Sequence, residues 1–134
     1  MLIIFDWDGT LCDSTGTIVK AMCEAARRQN APVPADSAVL DVIGLSLPKA
    51  IAQLFPSLSA QERDSLRLGY SSIYRELDRT PARLFPGVRE ILQELHDAGH
   101  HLAVATGKSR QGLDRVLRGL DADHYFHGSR CADE

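Results

Sequence analysis

Near its start the chain runs Leu2-Ile3-Ile4-Phe5 and then stops at Asp6-Trp7-Asp8-Gly9-Thr10. An apolar run this short, closed by a glycine turn, reads as a buried strand over Leu2 to Phe5. Charge at the mouth of a buried strand costs free energy unless it is used or neutralised. Ligands gather at the carboxyl ends of strands in open α/β sheets. The segment therefore points to an α/β sheet with a site at the end of its first strand. Gly9 permits positive φ or a close backbone approach just past that strand. Taken alone, Asp-x-Asp-Gly is also an ordinary acidic turn. The apolar strand before it and Thr10-Leu11 after it favour a site.

The chemistry such a pair supports is phosphoryl transfer to Asp6. A carboxylate can act as nucleophile and form an aspartyl-phosphate. A phosphate dianion repels it, so a divalent cation must offset the two charges. Asp8 could then protonate the leaving alcohol and later activate water.

Phe5-Asp6-Trp7-Asp8-Gly9-Thr10-Leu11-Cys12-Asp13-Ser14 resembles the first motif of the haloacid dehalogenase superfamily. It looks most like the phosphatase branch with a helical cap, which includes the phosphoglycolate phosphatases. The resemblance implies that Asp6 is the nucleophile and Asp8 the general acid/base. It also implies a Mg²⁺ held by the Asp6 side chain and the Asp8 backbone carbonyl. True dehalogenases of the superfamily lack the second aspartate, so Asp8 argues for phosphate esters.

Composition agrees with a single small domain, or a small core plus an insert. The 134 residues are 44% hydrophobic, too apolar for a disordered chain. The net charge is −3 with no basic tract, which argues against a nucleic-acid partner. Cys12, Cys23 and Cys131 have no metal-like spacing and read as reduced thiols. No stretch approaches membrane-spanning length, and the chain opens directly on a strand. The expectation is a cytoplasmic protein without membrane attachment.

After a loop through Ser14, residues 15–80 read as helices only. Ile18, Val19, Met22, Cys23 and Ala26 share one face of a helix from about Gly16 to Arg28. Asp36 is expected to cap a short helix bearing Val39, Leu40 and Ile43, ended by Gly44. Ser46 and Pro48 open another, with Ile51, Leu54 and Phe55. Ser59-Ala60-Gln61-Glu62 fits a capping box before a helix presenting Leu66, Tyr70, Ile73, Tyr74 and Leu77. The pattern changes at Thr80-Pro81. Phe85-Pro86-Gly87 then turns into a helix with Val88, Ile91, Leu92 and Leu95, closed by Gly99. His101 to Ala105 is a second buried strand, Ser109 to Leu120 a helix, and Asp123 to His127 a short third strand.

This order predicts a Rossmann-like parallel sheet over residues 1–14 and 81–134, interrupted by an all-helical cap over 15–80. A cap leaving just after the aspartates could act as a lid; the same helices could instead merely thicken the core.

A second site signal is Val104-Ala105-Thr106-Gly107-Lys108-Ser109. A hydroxyl at a strand end and the next backbone N–H can both donate to a phosphate oxygen. This resembles the family's second motif, which gives Thr106 the phosphate, with Gly107 donating its amide. Lys108 is either a charge clamp on that phosphate or a solvated lysine at a helix start capped by Ser109. Position 102 is Leu, so the segment is not a P-loop. The five histidines read as surface residues, Arg27-Arg28 as a solvated helix end, and Lys49 as an exposed lysine or a contact to a substrate carboxylate.

The family pattern continues with a lysine and then an acidic pair that completes the metal site. Lys20, Lys49 and Lys108 are the only lysines, and none follows the third strand. Asp133 and Glu134 come too soon to be the pair. The expectation is an N-terminal portion of a longer phosphatase acting on a small phosphorylated metabolite, 2-phosphoglycolate or a sugar phosphate. A phosphomutase shares the Asp6 chemistry. The other reading is a catalytically incomplete or non-catalytic phosphate-binding module. An incomplete sheet would leave a strand edge open to self-association.

Overall fold

A computed structural model describes residues 1–78 and 82–134, so the pattern change at Thr80-Pro81 lies outside the described residues. The chain separates into two compact units, Met1–Ser14 with Pro81–Glu134, and Thr15–Thr80.

The first unit is built on a parallel sheet of β1 (Leu2–Phe5), β4 (His101–Ala105) and β5 (Gly128–Arg130), in the order β1-β4-β5. Phe5 pairs with Val104, and Ala105 with Arg130, so the strands end together. A two-residue antiparallel pair, β2 (Cys12–Asp13) with β3 (Arg83–Leu84), fastens the loop after the aspartates. So short a pair leaves no periodic signal. Helices α5 (Val88–Asp97) and α6 (Arg110–Gly119) make the two crossovers. Successive right-handed crossovers in one direction lay both helices on one face of the sheet. Leu92 of α5 and Leu113 and Val116 of α6 share a core with Leu102 and Val104.

That arrangement corrects the expectation that β4 is buried throughout. Leu102 and Val104 are buried while His101 and Ala105 are exposed. The same alternation leaves Leu2 and Ile4 of β1 60% and 59% exposed. Ile91 of α5 also faces out. The third strand begins later than expected: Asp123–Tyr125 is a single 3-10 turn that buries Tyr125, and pairing starts at Gly128.

The second unit is all helical among its described residues: α1 (Thr15–Arg28), α2 (Asp36–Asp41), α3 (Leu47–Leu54) and α4 (Ala60–Leu77). Small residues Ala21, Ala25 and Ala26 of α1 let it pack closely with Leu66, Ile73 and Tyr74 of α4. Burying the Leu66 and Ile73 side chains contributes about 1.5–3 kcal/mol each. The capping box forms as read: Ser59 Oγ accepts the Glu62 N–H at 3.2 Å, and the Ser59 N–H donates to Glu62 Oε2 at 2.7 Å. Asp36, by contrast, is the first helical residue of α2 rather than its cap. Ala35 holds the cap position, and Ile43 lies beyond the helix. Leu40 and Leu77 are 47% and 42% exposed, not core.

Candidate active site

Beyond β1 the backbone folds into a tight loop. The Leu11 and Cys12 N–H groups both reach the Trp7 carbonyl at 3.0 Å, and the Gly9 N–H reaches the Cys12 carbonyl at 2.9 Å. Gly9 sits at φ +76°, where a Cβ is strained. Trp7 is fully buried and meets Phe126 edge-on, with ring centroids 6.4 Å apart. The indole anchors the loop from inside while its two neighbours, Asp6 and Asp8, carry the charge.

The two carboxylates have different surroundings. Asp6 is exposed and accepts only the Trp7 N–H, at 2.7 Å on Oδ1; its Oδ2 is uncommitted among the described residues. Asp8 is held on one oxygen from two sides. The Ser14 hydroxyl donates to Oδ1 at 2.6 Å, and Lys108 Nζ lies 3.3 Å from the same atom. The Asp8 and Lys108 side chains are each only 12% exposed, so this ion pair is shielded from water.

Strand register brings the second segment to the same end. With Phe5 opposite Val104, Thr106 follows β4 where Asp6 follows β1. The Thr106 hydroxyl accepts the Lys108 N–H at 3.2 Å and keeps its own proton to donate. Neighbouring chain holds the turn: the Thr106 N–H bonds the Arg130 carbonyl, and the Ala132 N–H the Lys108 carbonyl. The Gly107 N–H makes no hydrogen bond among the described residues. Ser109 caps α6 as expected, accepting the Gly112 N–H. Lys108 is therefore no solvated lysine; it joins the Thr106 turn to the aspartate loop.

Two residues outside the expected set complete the surroundings. Ser14, 1% exposed, fixes Asp8; its place directly after Asp13, before a helix, suggests a cap more than a partner for an aspartate. Arg110 bonds Glu134, Asp114 and Ser129 at once. Glu134 lies below its ordinary pKa, held by the Cys131 N–H and by Arg110. Asp133 accepts the Arg110 N–H at 2.9 Å. Both C-terminal acids are thus engaged in internal bonds.

Among the described residues no third carboxylate, histidine or cysteine joins Asp6 and Asp8 closely enough to share an ion. Asp121, Asp123 and His124 do cluster, but all three are exposed and none belongs to this loop. Among the described residues no helix is long and apolar enough to cross a membrane.

Comparison with known proteins agrees with this arrangement. The family model for haloacid dehalogenase-like hydrolases matches residues 3–134. A phosphoglycolate phosphatase of Vibrio cholerae is 33% identical over 132 residues, covering 93% of this chain and 58% of its own length. A tyrosine-protein kinase PtkA of Mycobacterium tuberculosis is 32% identical over 125 residues, covering 93% of this chain and 42% of its own. A predicted phosphoglycolate phosphatase from Haemophilus somnus superposes with a TM-score of 0.88 at 26% identity, over 98% of this chain and 62% of that one. The chain thus spans little more than half the length of the phosphatases it matches. With its aspartate loop, its Thr106 turn and a match running almost end to end, the chain belongs to the haloacid dehalogenase-like hydrolase family.

Proposed function

We propose that the protein carrying this chain hydrolyses a small phosphomonoester through an aspartyl-phosphate on Asp6. The reading rests on the contrast between the two aspartates: Asp6 offers an exposed, uncommitted oxygen, while Ser14 and Lys108 hold Asp8 in one orientation. A nucleophile needs a free lone pair, and a proton shuttle needs a fixed position.

Asp6 attacks phosphorus, and the bond to the leaving oxygen breaks as the Asp6–phosphorus bond forms. Asp8 enters this step in its protonated form, gives its proton to the departing alcohol and becomes the carboxylate that Lys108 pairs. It then takes a proton from water, whose oxygen attacks phosphorus, releasing inorganic phosphate and restoring the Asp6 carboxylate. The Thr106 hydroxyl and the Gly107 N–H hold the non-bridging oxygens, and Lys108 offsets the charge gathered between Asp8 and the phosphate.

The donors fit a hard divalent cation. They are oxygens only, and the Asp8 carbonyl accepts no backbone hydrogen bond among the described residues. We assign Mg²⁺, held by the Asp6 side chain and the Asp8 carbonyl, since that ion takes one or two carboxylates with substrate phosphate. Bound there, it would reduce the repulsion between carboxylate and phosphate. The phosphoglycolate phosphatases among the relatives support 2-phosphoglycolate as substrate, with a sugar phosphate the alternative, and a phosphomutase would share the first step. The three free, buried cysteines support a reducing, cytoplasmic setting.

A second reading, in which the 134 residues bind phosphate without turnover, is favoured by the lack, among the described residues, of a third acid beside Asp6 and Asp8. In that form the open β1 edge supports self-association. Phosphatase assay with Mg²⁺, on this chain and on one extended through its reading frame, separates the two. Activity abolished by Asp6→Asn supports the enzyme. Inactivity of both chains across a broad phosphoester panel refutes it.

A further inference from the structure

We propose that Arg110 is a positioning residue for phosphate capture: its guanidinium locks the 129–134 segment against the Thr106–Lys108 turn and so sets where that turn's donors point. The inference deepens the phosphate-binding role given above to Thr106 and Gly107, and rests on it.

Arg110 begins α6, two residues past Lys108. Its Nε and Nη2 grip the Glu134 carboxylate fork-on-fork at 2.9 and 3.0 Å. Nη1 bonds Ser129 Oγ at 2.7 Å and Asp114 Oδ1 at 3.3 Å, and Nη2 also reaches the Ser129 carbonyl at 3.3 Å. Every guanidinium N–H is thereby committed. The charge is also matched by two carboxylates, so Arg110 has neither a donor nor net charge to offer a substrate anion. Its role is to hold chain.

The chain it holds is the one that brackets the turn. The Thr106 N–H bonds the Arg130 carbonyl at 3.0 Å, the Ala132 N–H bonds the Lys108 carbonyl at 2.9 Å, and the Arg110 N–H bonds Asp133 at 2.9 Å. Glu134 closes the circuit by accepting the Cys131 N–H at 2.8 Å. Within the turn itself the Lys108 N–H bonds Thr106 Oγ1. The bracketing segment fixes both ends of the turn through the Thr106 N–H and the Lys108 carbonyl, and Arg110 with Glu134 holds that segment in place. Donors that bind an oxyanion must be aimed before it arrives. A bidentate arginine–carboxylate pair supplies direction as well as energy.

The test is inorganic phosphate binding to the 134-residue chain, followed by ³¹P and ¹⁵N NMR, in the parent, Arg110→Gln, Arg110→Lys and Glu134→Gln. Misplaced donors should weaken phosphate binding about tenfold in R110Q and reduce the phosphate-induced shift of the Gly107 amide. R110K should recover part of the loss, and E134Q, which keeps the shape of Glu134, should fall between R110Q and the parent. If R110Q fails to fold, E134Q and R110K carry the comparison. Unchanged phosphate affinity in the folded variants overturns the proposal, as does a parent chain that binds no phosphate. Because the readout is binding, an Arg110-dependent phosphate site in this chain, with no ester hydrolysis by either this chain or its extended form, would refute the phosphatase reading and leave this one standing.

Discussion

Lys108 Nζ lies 3.3 Å from Asp8 Oδ1, the carboxylate oxygen that also accepts the Ser14 hydroxyl. One ion pair thus joins the loop after β1 to the turn after β4. Both side chains are largely shielded, so removing Lys108 leaves the Asp8 carboxylate without this cation in a site water barely reaches. Lys108→Met should destabilise the chain by about 2–4 kcal/mol, and adding Asp8→Asn should recover part of that. Urea unfolding of the two single variants and the double variant measures the coupling; additive losses would show that the pair contributes nothing.

Ser14→Ala removes a buried donor to a charged acceptor, a loss of about 1.5–3 kcal/mol. Activity should fall as well, since Asp8 is then free to rotate. Ser14→Thr, which keeps the hydroxyl, should regain more of the activity than Ser14→Cys. Steady-state rates beside thermal unfolding separate the two effects.

The Glu62 carboxyl is held below its ordinary value of 4.5, first by the Ser59 backbone N–H and then by its side chain. A carboxylate with a lowered folded pKa adds stability above its unfolded value and loses it as pH falls through the folded one. Denaturation midpoints should therefore drop below about pH 4.5, and E62Q should flatten part of that slope. Ser59→Ala should cost about 1 kcal/mol at neutral pH by removing the cap.

Burial raises the thiols of Cys23 and Cys131 above 9.0, and Cys12 is fully buried. Thiolate is the reactive form. None of the three should react with a disulfide reagent at pH 7 in the folded chain, and all should react in urea. Rapid labelling of the native protein at any of them would contradict the packing.

Gly9 adopts φ +76° inside the loop that carries both aspartates. Gly9→Ala should cost about 1–2 kcal/mol in backbone strain and lower activity more than a surface substitution of equal stability cost. Matching the two by thermal midpoint and then comparing rates checks this.

Much of the plan was readable along the chain because local rules govern it. Short apolar runs marked β1 and β4, helical spacing marked α4 and α6, and Ser59 and Ser109 announced their helices through short-range hydrogen bonds. The aspartates and Thr106 stood out because polar groups at the ends of apolar strands need a reason to be there. The β2–β3 pair, the late start of β5 and the exposed faces of Leu2, Ile4 and Ile91 were hidden, because each depends on what packs across from it.

Residue order alone was enough for the strand-end carboxylates, the helical run between two halves of a parallel sheet, and the turn after β4, since each is a local pattern. It could not show that Lys108 meets Asp8, that Ser14 aims the same carboxylate, or that Arg110 gathers residues from 114 to 134 around one guanidinium. Those partners lie 4 to 100 positions apart, and their pairing depends on strand register and on how far each side chain reaches once the sheet has formed.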